Sequence, residues 1–156
     1  MVAATYLTSK ELDLCSQVRA MCACNQLRRA TRGITALYES ALAPSELKAT
    51  QLPILVGLGS TGDLSVTTLA DALALDRTTL TRNLRVLEER GLVRMCESDD
   101  DARVRMVSLT LAGSDVLANA LSRWEQMQAV VEERFGRERL QALYGELDAL
   151  GDVIES

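Results

Sequence analysis

Cys15, Cys22 and Cys24 place three thiols within ten residues, and a fourth, Cys96, stands alone further on. Thiolates are nucleophiles and soft ligands. Such a cluster could form disulfides, react with oxidants or electrophiles, or hold Cu(I), zinc, mercury or trivalent arsenic. The chain contains no histidine, so any metal site would rest on thiolate and carboxylate alone. A second set, Arg77, Thr78, Thr81, Arg82 and Arg85, has the chemistry of recognition instead. Arginine offers bidentate donors to guanine or phosphate, and threonine offers a hydroxyl and a methyl to base edges. No glycine-rich phosphate loop and no carboxylate pair at a recognisable spacing accompanies them. The chain is therefore not expected to be an enzyme.

The elements that must carry the second set are legible from 69 to 93, LADALALDRTTLTRNLRVLEERGLV. This reads as a helix, a tight turn, a second helix and the start of a strand. Asp76 suits an N-cap. Counted at 100° per residue from Arg77, the five recognition residues fall within an arc of about 140°, with Leu80, Leu84 and Leu87 opposite. Gly91 suits the position where a helix stops. Upstream, Ser65 is placed to cap a short helix carrying Leu69, Ala70, Leu73 and Leu75. Downstream, 92–97 and 103–109 read as strands flanking the polar turn SDDDA at 98–102. Helix, helix, strand, loop, strand is the order of a winged helix-turn-helix, with Arg103 and Arg105 placed to enter a minor groove beside the wing. The expected fold is mainly α with a small β-hairpin wing.

The flanks read as helical scaffold. Thr50 is expected to cap a helix holding Leu52, Ile54, Leu55 and Leu58, with Pro53 in its first turn. A long helix follows Thr110, and a last one after Gly136 carries Leu140, Leu143, Leu147 and Leu150. Helices at both ends of so small a domain bury little alone, so pairing with a second subunit is expected. This divides a single structural domain into a dimerisation region, 1–47 with 110–156, and a winged DNA-binding lobe, 48–109.

Cys15, Cys22 and Cys24 fall in a further helix expected at the N-terminal end of the chain. Taken as continuous, it sets Cys24 about 200° around from Cys22 and Cys15 roughly 10 Å from Cys22 along the axis, which forbids ordinary disulfides among them. Several roles stay open: a bridge across the dimer, a bridge after unwinding of the helix, capture of a metal or metalloid, or an iron–sulfur cluster shared between subunits. Packing as small hydrophobes is equally open. A second apolar face (Leu12, Ala23, Leu27, Ala30, Ile34, Leu37) leaves one side for the subunit's own core and the other for a dimer partner.

Composition narrows the class. The net charge of −5 argues against a nonspecific nucleic-acid coater. The charge is uneven, with bases outnumbering acids five to two from Arg19 to Lys48, against nine acids and four bases from Gly113 onward. An acidic body behind an arginine-bearing helix fits sequence-specific binding with a limited phosphate contribution. No run of 18 apolar residues and no secretory signal is present, so a cytoplasmic protein without membrane contact is expected.

On DRTTLTRNLRVLEERGLV, the wing pattern Asp101-Ala102-Arg103 and the VSLTLAG run at 107–113, the chain resembles the MarR family of bacterial regulators. The resemblance extends over nearly the whole chain. It implies a homodimer that binds a palindromic operator in double-stranded DNA. It maps Arg77, Thr78, Thr79, Thr81 and Arg82 to the groove-reading helix, and Asp101 and Arg103 to the wing. Some relatives sense peroxides or electrophiles through an N-terminal cysteine, and others bind aromatic acids. The run Asp99-Asp100-Asp101 departs from the pattern, because an acidic wing repels phosphate. The leading expectation is a repressor released by an inducer, with thiol sensing at Cys15, Cys22 and Cys24. Two alternatives stand beside it: induction by a small aromatic ligand with structural cysteines, and a winged-helix module for protein contact.

Overall fold

Capping side chains mark where four of the helices begin. In the computed structural model of the chain, residues 6–155 are described, with side chains as far as residue 153. The outermost parts of the expected dimerisation region, 1–5 and 156, lie outside the described residues. Two compact units are present, one up to Leu37 and one from Tyr38 onward.

The first unit holds α1 (Ser9–Met21) and most of α2 (Ala23–Leu42). A capping box opens α1. The Glu11 amide donates to Thr8 Oγ1, and the Glu11 carboxylate accepts from the Thr8 hydroxyl and amide at 2.7 and 2.6 Å. These bonds, the hydroxyl's first, hold the Glu11 carboxyl below its ordinary range. The first helix, taken as continuous for the thiol geometry above, is broken at Cys22. Cys22 has extended backbone (φ −66°, ψ 111°), closing α1 through its amide on the Val18 carbonyl and opening α2 by accepting from the amides of Asn25 and Gln26. No proline or glycine causes the break. The Gln26 side chain sustains it, donating to the Ala20 carbonyl at 2.9 Å and satisfying an end that a continuous helix would have paired itself. No residue of α1 is buried, and Leu42 is the buried residue of α2. The expectation that one apolar side of this segment serves the subunit's own core is therefore not met: Leu12, Leu27 and Ile34 are exposed.

The second unit contains the end of α2, a 3-10 turn (Ala43–Ser45), α3 (Leu52–Thr61), β1 (Leu64–Ser65), α4 (Val66–Ala72), α5 (Arg77–Glu89), β2 (Val93–Glu97), β3 (Arg105–Leu109), α6 (Leu111–Phe135) and α7 (Arg137–Glu155). Thr50 does not cap α3. The N-cap is Gln51, buried in a tight turn where its side-chain oxygen accepts from the Lys48 amide at 3.0 Å. Ser65, Asp76 and Thr110 do cap α4, α5 and α6. The sheet is antiparallel with order β1-β3-β2, pairing Leu64 with Val107 and Met95 with the same Val107. Sequence reading found the two wing strands and missed β1, two residues long and so without a readable period.

One core joins these elements. Leu42, Ile54, Leu55, Leu58, Leu69, Leu80, Leu84, Leu87, Val107 and Ala120 are buried almost completely. Gly91 turns the chain out of α5 at φ 69°, and Thr110 then ties the start of α6 back to this turn by donating to the Gly91 carbonyl at 2.7 Å. At Gly113 the backbone of α6 runs so close that a Cβ would collide with the Leu92 carbonyl oxygen.

Candidate nucleic-acid interface

The candidate recognition helix, α5, is built from its anchor outward. Leu80, Leu84 and Leu87 have no exposed surface, so the rotation of α5 about its own axis is settled by packing. The opposite arc must then face solvent: Arg77, Thr78, Thr81, Arg82 and Arg85 are all exposed. The Thr81 hydroxyl donates to the Arg77 carbonyl at 2.6 Å. It therefore turns lone pairs and a methyl outward rather than a proton, which suits a base-edge amino group or a thymine methyl. Thr79 is half-buried, and its amide donates to Asp76 Oδ1 at 2.8 Å. It lies at the flank of the arc and helps to start the helix. Hydrogen bonds from Thr79, its side chain's first and then its amide's, hold the Asp76 carboxyl below its ordinary range, so the cap stays ionised.

The arginines are not equivalent. Arg85 Nε is paired with Glu89 Oε1 at 2.9 Å, and Arg105 Nη1 with Glu97 Oε1 at 3.5 Å across the wing strands. Among the described residues, Arg77, Arg82 and Arg103 have no ion-pair partner. The wing turn is held by Asp101, whose Oδ1 accepts from the Arg103 amide at 2.9 Å and whose carbonyl accepts from the Val104 amide at 2.9 Å. Asp101 thus acts on the backbone and presents Arg103 at the base of the wing. Asp99 and Asp100 are exposed beside it.

Between helix and wing lies a cavity of about 350 Å³. It brings together Arg77 and Thr81 from α5, Arg103 and Arg105 from the wing, and the apolar Leu84, Met95 and Val104. Ser65, Val66 and Thr67, at the start of α4, close the remaining side. Sequence reading identified Ser65 as a cap. Nothing in the pattern marked Thr67, because its place in the wall depends on how α4 packs against α5. Thr78, Thr79, Arg82, Arg85 and Asp101 do not line this cavity.

Three of the thiols, Cys15, Cys22 and Cys24, stand apart from this surface in sequence, while Cys96 follows Met95 on β2. Cys15 and Cys24 are exposed, Cys22 is half-buried at the break between α1 and α2, and Cys96 is exposed on β2 opposite Met106. A metal cluster does not assemble within one chain: among the described residues, no three of His, Cys, Asp or Glu are placed to hold an ion. Among the same residues, no helix is long and apolar enough to cross a membrane.

Comparison with known proteins agrees with this geometry. The sequence model of the MarR family matches residues 45–104, the segment that contains both the reading helix and the wing turn. The transcriptional regulator MosR of M. tuberculosis, solved in complex with DNA, is 35% identical. It superposes with a TM-score of 0.78 over 86% of this chain and 96% of its own. The regulator SarZ of Staphylococcus saprophyticus is 34% identical over 79 residues, 51% of this chain and 54% of that protein. The uncharacterised regulator YhbI of Bacillus subtilis is 26% identical over 107 residues, 69% of this chain and 70% of that protein. With its winged helix-turn-helix, its outward arginine–threonine arc and these relatives, the chain belongs to the MarR family of transcriptional regulators.

Proposed function

We propose that this regulator is a homodimeric, cytoplasmic repressor that binds a palindromic operator in double-stranded DNA. The α5 arc enters the major groove, and Arg103 enters the adjacent minor groove. The observation that carries the reading is the exposure of unpaired Arg77 and Arg82 on a helix whose other face is locked into the core, with unpaired Arg103 exposed at the base of the wing. The DNA held by MosR, a relative of similar fold and length, supports it. The dimerisation region is 1–47 with 110–156, which carries α1, α2, α6 and α7, in keeping with exposed apolar side chains such as Val18, Met21, Leu143 and Leu147. Gel shifts on DNA flanking the protein's own gene test the reading. Arg82→Ala and Thr81→Ala should abolish specific binding while the dimer persists, and unaltered operator affinity in both would refute the assignment of the arc.

Release by thiol chemistry at Cys15, Cys22 and Cys24 is the inducer mechanism we favour. The break at Cys22 supports it, since the separation imposed by a continuous helix no longer keeps Cys22 from Cys24. A peroxide would take two electrons and two protons from a pair of thiols, leaving a disulfide and two waters, or one water and one alcohol from an organic hydroperoxide. Cys22→Ser should then remove peroxide-dependent release, whereas normal release in a variant lacking all three thiols would return them to packing. A second reading, release by a small aromatic acid, is supported by the cavity, whose arginines and apolar wall suit a carboxylate on a ring. Loss of operator binding with such acids in the thiol-free variant would favour it.

A further inference from the structure

Arg90 closes α5, and its side chain is 27% exposed. Its Nη1 donates to the Glu46 carbonyl at 2.7 Å, and its Nη2 reaches the Ser45 carbonyl at 3.4 Å. These carbonyls lie 44 and 45 positions earlier, in the corner by which the chain leaves α2. The corner is braced. Ser45 Oγ donates to the Leu42 carbonyl at 2.7 Å, and the Glu46 amide donates to the Ala43 carbonyl at 3.0 Å. Glu46 holds a left-handed φ of 55°. Next to Arg90, Glu88 Oε1 accepts from the Met95 amide of β2 at 3.0 Å. The last turn of α5 is thus fixed both to the corner and to the wing.

We infer that Arg90 is a positioning residue for DNA reading: it fixes the tilt of α5 against the corner at 43–46 and, in a dimer, the separation of the two reading helices. The inference rests on the DNA-binding reading above. A two-fold dimer recognises half-sites at the separation of its reading helices. Helix α5 has 13 residues and so spans about 20 Å, and a tilt of about 3° at Arg90 moves Arg77 by about 1 Å. The bonds to the carbonyls matter more than the charge. The Glu46 carboxylate is 3.8 Å away and 84% exposed, an arrangement in which an ion pair contributes little. Lysine supplies the charge without the planar fork that holds two carbonyls in fixed directions.

The test uses duplexes that the wild-type protein selects from a random-sequence pool. Affinity is measured against salt and against half-sites moved one base pair closer or further apart, with thermal melting beside it. Arg90→Met should bind the selected duplex about tenfold more weakly, the scale of a lost hydrogen bond to a charged group, with a flattened spacing preference and an unchanged salt slope. Arg90→Lys should fall between, and decides the question should Arg90→Met not fold. Glu46→Gly, which keeps the carbonyl and the left-handed turn, should match wild type. An unchanged spacing profile in the Arg90 variants overturns the inference, as does a salt slope reduced by about one, which would make Arg90 a phosphate contact. Equal weakening at every spacing that tracks the unfolded fraction would also overturn it. A wild-type protein that selects no palindrome defeats the DNA-binding reading itself, and the inference with it.

Discussion

Glu89 and Glu97 hold two of the arginines that the sequence marks for DNA, and phosphate must compete with them. Both pairs are largely exposed, with side-chain accessibilities of 79% and 60% for Arg85 and Glu89 and 58% and 62% for Arg105 and Glu97. Glu89→Gln and Glu97→Gln should therefore each tighten DNA binding by about two- to fivefold, as measured by fluorescence anisotropy at low salt. Packing is less forgiving than charge. Gly113→Ala would press a methyl group onto the Leu92 carbonyl and to 2.8 Å from Leu109 Cδ1. We expect a loss of about 3 kcal/mol in denaturant unfolding, within the range for overpacking a close backbone approach. Ala74 holds φ 48° in the turn between α4 and α5. Ala74→Gly should relieve that strain and raise stability by about 0.5–1 kcal/mol, net of the greater entropy of unfolded glycine.

At the scale of elements, the start of α5 depends on an ionised Asp76. Its carboxyl has a folded pKa below the ordinary value of 3.8, because the side chain and amide of Thr79 bond the charged form. A depressed folded value means that the contribution is fully present above the ordinary value and is lost as pH falls through the folded one. Asparagine caps as well as aspartate but carries no charge. The stability advantage of wild type over Asp76→Asn should accordingly be constant near neutrality and vanish in acid, as followed by helical circular dichroism during unfolding at each pH. An advantage that persists in strong acid would contradict the cap. Helix boundaries of this kind were legible because a capping side chain and its helix lie within a few residues. The break at Cys22 was not, since it depends on a Gln26 side chain reaching back six residues to the Ala20 carbonyl. No periodicity records that contact.

For the whole molecule, the exposed apolar side chains Leu143, Leu147 and Leu150 of α7 share one helical face. Left in water they would be an aggregation hazard, which burial in the proposed two-fold dimer would remove. Replacing Leu143 and Leu147 together by aspartate should yield monomers in analytical ultracentrifugation. Operator affinity should fall with them, because each monomer reads only one half-site. A dimer of undiminished strength would move the interface away from α7. With a phosphate contribution limited by the net charge of −5, DNA affinity should fall with salt, as followed by gel shifts at rising ionic strength.

Helix α5, its cap, its stop and its outward arc were legible in the chain alone, since each follows from the side chains of a single segment and the 3.6-residue period. So was the wing hairpin, whose two strands are neighbours in the chain. Contacts between distant segments belonged to the tertiary structure. Among them are the third strand at 64–65 pairing with β3, the wall that Ser65 and Thr67 add to the cavity, and the fork of Arg90 on carbonyls 44 and 45 positions away. The pairing of Arg85 and Arg105 with glutamates, which separates them from Arg77, Arg82 and Arg103, likewise appears only once rotamers and strand register are in place. Local chemistry named the residues proposed to read DNA, and long-range packing decided how they are held.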